Sequence, residues 1–254
     1  MQHKMHLQLK TDSIGTEYDT KCSGICFIVD YKSAKDITVM FYDGYTVKTQ
    51  MSNLRRGNLR NPYHPNNKLY GFGITDIKGC VNGKRDYIYR VWESMITRCY
   101  SEKYQSLYPT YRDVKVCDRW QIYSLFKDDL EKMKCFDKLG AGFHLDKDLI
   151  KQGNKTYCPE LCAIVPEVMN LSVVKSSKIN GDLPTGVHFC NREKKFVAQV
   201  HRGNGQESLG YFETSDQARC AYVKAKQKYL SELSVKYRGI VDERVCDALL
   251  VRVV

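Results

Sequence analysis

The chain has 254 residues and a formal net charge of +11, with 43% hydrophobic and 11% aromatic residues. This composition supplies enough apolar material for folded cores and is not typical of a disordered protein. No apolar run approaches the roughly 20 residues of a membrane-spanning helix, and the opening residues, MQHKMHLQLKTDS, lack the apolar segment of a secretory signal. These features predict a cytoplasmic protein with no membrane partner.

Cysteine usage indicates a reducing compartment. The chain carries 11 Cys, an odd number at irregular spacing, which is typical of free thiols in a cytosol. Cys158 and Cys162 are separated by three residues, unlike the closer pairs of most zinc sites. A structural zinc that combines them with Cys99 or Cys117 is the less favoured alternative.

The basic balance favours a polyanionic partner, and we predict nucleic acid, the commonest polyanion of a cytosol. The alternative is a basic protein without such a partner. The residues leave the oligomeric state open.

Residues 1–78 are predicted to form a small β-barrel domain. Three β-branched and aromatic runs, ICFIVDY, DITVMFY and YTVKTQM, are separated by turns, and Asp43-Gly44 between two of them is a hairpin signal. Residues 69–74 would close the barrel as a further strand.

A basic turn follows these strands. The DITVMFYDGY and LRRGNLRNPY patterns resemble a barrel-like module at the start of many phage-encoded DNA-associated proteins. Arg55 and Arg56, together with Lys48 and Arg60, form either an accessory nucleic-acid surface or a solvated basic turn.

Residues 85–175 are predicted to form a central α+β region after a Gly-rich linker. Tyr89, Trp92, Ile96 and Cys99 recur at helical spacing, which predicts a helix over 86–100. A short strand at 114–116 then leads into a second helix over about 119–133. We interpret the aromatic residues of these helices as core.

The stretch FHLDKDLIKQGNKTYCPELCAIVPEVMN, residues 143–170, closes this region. It combines His, acidic, Lys, Asn and Cys residues and is poor core material, because burial of unpaired polar groups is costly. We interpret it as either a solvated loop with a short helix or a functional site.

Residues 182–235 are predicted to form three strands and one helix. The strands are GVHFC, KKFVAQVHR and ESLGYF, and Thr214-Ser215-Asp216 is a helix N-cap cluster. The helix carries Ala218, Ala221 and Tyr222 on one face. Residues 236–254 are predicted to be a tail with some β character.

This unit resembles the DNA-binding domain of the APETALA/ethylene-response-factor class of plant transcription factors. The resemblance rests on Gly186-Val187, Phe196-Val197-Ala198, Leu209-Gly210-Tyr211-Phe212 and Ala218 with Ala221-Tyr222. It implies a sheet in the DNA major groove. The implied base-contacting positions are His188, Cys190, Arg192, Gln199, His201 and Ser208. The implied phosphate contacts are Lys194, Lys195 and Arg202.

Residues 143–170 in turn resemble the HNH, or ββα-metal, nuclease core of phage homing-type endonucleases. The resemblance rests on Leu145-Asp146-Lys147-Asp148-Leu149, Gly153-Asn154, Pro159-Glu160-Leu161-Cys162 and Pro166 with Asn170. It implies a Mg²⁺ ion, or another divalent metal, held by Asp146, Asn154 and Asn170. It also implies a general base.

Lys147 stands where this family has a His, and a protonated Lys does not accept a proton. His144 precedes Asp146 by two residues on the same predicted strand and is the substitute base. Three hypotheses stay open: an active DNA endonuclease, a catalytically degenerate DNA-binding protein, and a structural or inhibitory interaction protein. In all three we predict a multi-domain α+β fold.

Overall fold

A computed structural model describes residues 14–81, 84–173, 183–203 and 205–253. The strands are β1 (Glu17–Thr20), β2 (Gly24–Ser33), β3 (Asp36–Phe41), β4 (Thr46–Thr49), β5 (Cys80–Val81), β6 (Lys84–Arg85), β7 (Lys115–Val116), β8 (Phe143–Asp146), β9 (Thr156–Tyr157), β10 (Ala163–Pro166), β11 (Val187–Cys190), β12 (Lys195–Arg202) and β13 (Gly205–Phe212).

The α-helices are α1 (Met51–Arg55), α2 (Tyr87–Tyr100), α3 (Glu102–Leu107), α4 (Asp118–Gln121), α5 (Tyr123–Glu131), α6 (Glu167–Val173), α7 (Ser215–Tyr237) and α8 (Glu243–Leu250). Short 3-10 helices span Pro65–Asn67, Pro109–Tyr111 and Phe136–Lys138. Helices and mainly antiparallel sheets are thus combined, as the predicted α+β class requires. Within the described ranges, no helix has both the length and the apolar character needed to cross a membrane.

The chain divides into two compact units. The first comprises Met1–Arg112 with Asp118–Phe126, and the second comprises Asp113–Cys117 with Lys127–Val254. The second unit contains both the site-like stretch and the C-terminal sheet. The predicted domain boundary at 175–182 falls outside the described residues, and the predicted division into four segments stays a prediction.

The N-terminal sheet has the order β1-β2-β3-β4, and its strands pair antiparallel in sequence. The predicted Asp43-Gly44 hairpin joins β3 to β4, where Gly44 has φ 86 and donates its N–H to Phe41 O. Inward-facing residues of β2 and β3 form the core with residues from α1 onward. They are Cys26, Ile28, Ile37, Val39, Phe41, Met51, Leu54 and Leu59.

The prediction that residues 69–74 close a barrel was wrong. The described strands β1–β4 form an open sheet with β1 and β4 at its edges. Leu69 and Gly73 exchange backbone hydrogen bonds across a tight turn. Within that turn Tyr70 has φ 52 and Gly71 has φ 80, a left-handed conformation that a strand does not adopt. Residues 69–73 therefore fold on themselves.

Helix α2 confirms the predicted helix and its apolar face. Trp92 and Ile96 are fully buried, and Trp92 Nε1 donates to Trp120 O at 2.8 Å. Tyr123 and Phe126 are also fully buried, so the aromatic residues are core, as predicted. The predicted second helix is divided into α4 and α5.

The C-terminal sheet has the order β11-β12-β13 and confirms the three predicted strands. One face packs on α7 through Val187, Ala198, Val200, Ala218 and Tyr222. Thr214 Oγ1 accepts the N–H of Gln217, which confirms the predicted N-cap. By strand alternation, the opposite face carries His188, Gln199 and His201.

The prediction of β character after residue 235 was wrong, because Glu243–Leu250 is the helix α8. Asp242 caps it by accepting the N–H of Arg244 at 3.0 Å. Val245, Cys246 and Leu249 are buried at helical spacing. The apolar periodicity and the cap outweigh the β-branched content, and α8 packs against α7.

Candidate functional site

The site-like stretch folds into three strands, β8, β9 and β10, and the start of helix α6 within the second unit. Strand β8 pairs antiparallel with β10, so that Asp146 lies opposite Ala163 and His144 opposite Val165. Helix α6 follows β10 without a gap and packs on both strands. All residues of β10 are buried, which anchors the hairpin. Residues 147–162 form the connecting loop, in which β9 pairs parallel with β7.

Asp146 ends β8 and is half-buried. Its Oδ1 atom accepts the N–H groups of Asp148 and Leu149, each at 2.7 Å. Burial raises the pKa of the Asp146 carboxyl above its usual range, although the two N–H donors act in the opposite direction. Within the described ranges no donor bonds to Oδ2, so this oxygen is open to a ligand.

Lys147 is buried and points its ammonium into the loop. Its Nζ lies 2.6 Å from Asp148 Oδ2 and donates to Asn154 O at 3.2 Å. The ammonium also lies 6.0 Å from the centre of the Tyr157 ring. An ammonium group offers donors only. Through these contacts Lys147 stabilises the conformation of the loop. Its predicted catalytic role stays a prediction.

Asn154 is buried, and its carboxamide is engaged by the loop backbone. Nδ2 donates to Lys147 O at 2.8 Å and to Thr156 O at 2.7 Å. Oδ1 accepts the N–H of Thr156 at 3.1 Å. These bonds hold the first part of the loop, residues 147–156, together, so the geometry gives no support to the predicted metal contact of Asn154.

His144 is exposed and shares one face of β8 with Asp146, because successive side chains alternate along a strand. Asn170 is half-buried on α6, the helix that packs on β8 and β10. The fold therefore brings the predicted base beside the predicted metal ligand and places Asn170 on the element covering the same hairpin.

The donor set fits Mg²⁺ only in part. Among the residues that the structure describes, no group of three or more His, Cys, Asp or Glu side chains could hold a metal ion. The alternative zinc site of Cys158 and Cys162 accordingly finds no third ligand of these types there. Mg²⁺ is less demanding, since it keeps several waters and is often bound through one or two carboxylates and substrate phosphates. The open oxygen of Asp146 fits this role.

Arg252, which the sequence motifs did not include, contacts the same loop. Arg252 Nη1 donates to Asp148 O at 3.1 Å. Lys226 of α7 is half-buried; burial lowers the pKa of its ammonium, and the positive charge of Arg252 lowers it further. Neither residue belongs to a recognisable local pattern. Arg252 and the residue it contacts, Asp148, are 104 positions apart in the sequence.

The C-terminal sheet presents the predicted DNA-contacting positions on its outer face, but several of its cations have acidic partners. Arg192 pairs with Glu193 at 3.4 Å in the turn after β11, with 90% of its side chain exposed. Lys195 pairs with Glu213 at 2.6 Å. These pairings reduce the local positive potential around Arg192 and Lys195.

Arg202 is bound more firmly within the fold. Its guanidinium lies 2.8 Å from Glu207, 3.5 Å from Glu232 and 5.7 Å from the centre of the Tyr229 ring. Only 27% of the side chain is exposed. These contacts favour a structural part for Arg202 over the predicted phosphate contact.

The remaining predicted positions are more accessible. Lys194 is exposed in the β11–β12 turn with φ 54. His201 and Ser208 are exposed, whereas His188, Cys190 and Gln199 are half-buried. Gln199 Oε1 accepts a hydrogen bond from Gln206 Nε2 at 2.7 Å. In the first unit, Arg55 and Arg56 are exposed at the end of α1.

Comparison with known proteins identifies no relative: no family model, curated protein or solved structure matches the chain. Both resemblances drawn from the sequence therefore stay predictions.

Proposed function

We propose that the protein binds double-stranded DNA and that residues 143–173 hydrolyse DNA phosphodiesters with a divalent metal ion. The observation that supports this best is the pairing of His144 with Asp146 on one face of β8. They lie in a strand–loop–strand–helix arrangement with the element order of the HNH resemblance.

Each side chain has a distinct part in this proposal. Asp146 would hold the metal, with Asn170 as a further oxygen ligand. When bound, Mg²⁺ neutralises charge on the scissile phosphate and on the leaving oxygen. His144 in its neutral form accepts a proton from the attacking water. Lys147 and Asn154 keep the loop in the shape that presents Asp146.

The sheet β11–β13 would bring this site to DNA. His188, Gln199 and His201 lie on the face opposite α7, where a strand ribbon can enter the major groove. Lys194 is the exposed cation of the adjoining turn and would contact phosphate. Arg55 and Arg56 would add an accessory contact.

A second candidate function is DNA binding without cleavage. The contacts of Lys147 favour this second function. Lys147 stands where the HNH family has its base, and its ammonium is bonded to Asp148 and Asn154. In that case His144 does not replace the missing base.

Incubation of the purified protein with supercoiled plasmid and Mg²⁺ or Mn²⁺ tests the two functions. We expect cleavage that Asp146→Ala and His144→Ala abolish and that Lys151→Ala, at an exposed position of the same loop, retains. A gel shift without cleavage supports the second candidate. If neither cleavage nor DNA retention occurs, both are overturned, and an interaction with another partner is left.

A further inference from the structure

Positive charge in the first unit is concentrated in one part of the sequence. Residues 44–75 contain five Lys or Arg residues and no Asp or Glu. Four of these cations follow β4, and one more cation lies in the turn between β1 and β2. We call this set the unit-1 cations; its members are Lys21, Arg55, Arg56, Arg60 and Lys68. Lys68 is half-buried, and the other four side chains are exposed.

The β1–β2 turn is hydrogen-bonded to the segment that follows α1. The Lys21 ammonium donates to Asn58 Oδ1 at 2.7 Å, and the N–H of Lys21 donates to Gly57 O at 3.0 Å. Gly57 has φ 65, and an added Cβ would lie 3.2 Å from Asp19 O, so the two segments are in close contact. Lys21 is thus fixed against the residues that directly follow Arg56.

Arg60 and Lys68 are held on the same scaffold. Arg60 Nη2 donates to Asn67 O at 3.0 Å, directly before Lys68. Ser23 Oγ, in the β1–β2 turn, accepts Asn67 Nδ2 at 2.7 Å and the N–H of Asn61 at 2.9 Å. Ser23 and Asn61 are 3% and 1% exposed, so these bonds are shielded from water. The cations therefore lie on three chain segments that are joined before any partner binds.

The unit-1 cations have no acidic partner in the described part of the chain, where no carboxylate lies at ion-pair distance from any of them. Two acidic residues, Asp19 and Asp43, lie beside the same segments, and Asp43 Oδ2 accepts Asn61 Nδ2 at 2.7 Å. Five cations against two carboxylates leave an excess of positive charge, which favours an anionic partner.

The cations of the C-terminal sheet differ from this set. Arg192, Lys195 and Arg202 are each paired with a Glu. A phosphate contact by one of them would compete with an ion pair inside the protein, whereas a phosphate contact by a unit-1 cation breaks none. The unpaired cations are therefore better placed to neutralise phosphates and release their counterions.

We propose that the unit-1 cations form a surface that binds the phosphate backbone of duplex DNA. This surface supplies more of the salt-dependent affinity than the paired cations of the C-terminal sheet. The choice of duplex DNA rests on the proposed function. The surface extends the accessory contact of Arg55 and Arg56 to Lys21, Arg60 and Lys68, and it binds DNA without reading its sequence.

A nucleic-acid backbone suits cations that are spread over three segments. Duplex DNA carries one negative charge per about 1.7 Å of helix axis, so the cations need not converge on a single anion. Lys21 and Arg60 each use one donor group internally and have further N–H groups for phosphate oxygens. Both can contact phosphate while they keep the bonds that position them.

Fluorescence anisotropy of a short DNA duplex with the full-length protein in EDTA, over a series of salt concentrations, tests this surface without catalysis. The surface variant replaces Lys21, Arg60 and Lys68 by Gln. Because each phosphate contact contributes about 0.9 to the salt slope, we expect the slope to fall by roughly 2 to 3 units. Affinity at low salt should fall at least tenfold. Urea denaturation checks that each variant is folded.

Two matched variants show whether the position of the charge matters. The control variant replaces three other exposed lysines of the first unit, Lys32, Lys35 and Lys78, by Gln, and the sheet variant replaces Arg192 and Lys195 by Gln. Each should lower the salt slope by less than about one unit. Equal slopes for the surface and control variants overturn the surface, and so does a larger fall in the sheet variant.

The remaining outcomes separate this inference from the proposed function. If a single-stranded oligonucleotide of equal length binds more tightly than the duplex, the choice of duplex DNA is overturned. Duplex binding that depends on the unit-1 cations, without plasmid cleavage in Mg²⁺ or Mn²⁺, keeps the surface and overturns the proposed hydrolysis. Plasmid cleavage with duplex binding that the surface variant leaves unchanged removes this inference alone. Absence of duplex binding by the wild type overturns both.

Discussion

The Lys147 ammonium lies 2.6 Å from Asp148 Oδ2, inside the loop that connects β8 to β10. The same ammonium donates to Asn154 O, while Asn154 Nδ2 returns a bond to Lys147 O at 2.8 Å. Lys147, which occupies the position of the base in the HNH resemblance, is therefore joined to Asn154 by two hydrogen bonds across the loop.

Replacement of Lys147 should destabilise the fold. Lys147→Met leaves Asp148 Oδ2 and Asn154 O without their donor, and hydrogen bonds to charged groups contribute about 2 kcal/mol. We expect a loss of that order in the free energy of unfolding, measured by urea denaturation. Lys151→Met, at an exposed position of the same loop, should change it by less than about 0.5 kcal/mol. An equal loss of unfolding free energy in the two variants would contradict this stabilising role of Lys147.

Metal binding should depend on pH through Asp146. The carboxyl must be ionised to hold a cation, and burial raises its pKa, so protonation begins at a higher pH than for an ordinary aspartate. Mn²⁺ affinity, measured by titration calorimetry, should therefore fall on acidification before an exposed aspartate would titrate.

The matched variants separate Asp146 from its neighbour. Asp146→Asn should abolish Mn²⁺ binding at every pH while preserving the fold, since an amide oxygen still accepts the N–H groups of Asp148 and Leu149. In the metal-free protein at neutral pH this variant should be at least as stable as the wild type, because a raised pKa means that burial of the charged form is costly. If Asp148→Asn abolishes binding and Asp146→Asn does not, the metal assignment is wrong.

DNA affinity should distinguish the paired from the unpaired cations of the C-terminal sheet. Lys194→Gln removes an exposed charge, so it should weaken duplex binding and reduce the salt slope by about one unit. Arg202→Gln breaks contacts with Glu207 and Glu232, so its larger effect should be on unfolding. Fluorescence anisotropy over a series of salt concentrations, combined with urea denaturation, measures both. A salt slope unchanged by Lys194→Gln would exclude this turn from the DNA interface.

Gly186 should be irreplaceable at the start of β11. Its φ of 82 is left-handed, and an added Cβ would lie 2.1 Å from Tyr222 Cδ2 in the core under the sheet. Gly186→Ala should therefore cost at least about 3 kcal/mol of unfolding free energy or prevent folding. Gly153→Ala is the matched control, because Gly153 has φ 76 but open space around it. It should cost only about 1 kcal/mol, and a similar loss in both variants would assign the effect to backbone strain alone.

Much of the local structure follows from short-range patterns. Helical spacing predicted α2, Asp43-Gly44 predicted the β3–β4 hairpin, and Thr214 predicted the start of α7. Each depends on residues within a few positions of one another. The predicted strand that carries His144 and Asp146 is β8.

The remaining features depend on contacts between residues that are far apart in the sequence. Arg252 reaches Asp148 across 104 residues, and Arg202 reaches Glu232 across 30. The second contact connects the predicted phosphate ligand Arg202 to helix α7. Residues 236–254 were predicted to be a tail with some β character, whereas the capping carboxylate of Asp242 and burial against α7 favour a helix at 243–250.

The last residues of the chain hold the site loop at several points. Arg244 Nη1 donates to Glu160 O at 2.7 Å, Arg252 to Asp148 O, and Gln152 to Val253 O. During synthesis a ribosome makes residues 147–162 long before residues 244–253. The loop that presents Asp146 therefore gains these contacts only after the sheet β11–β13 has been made.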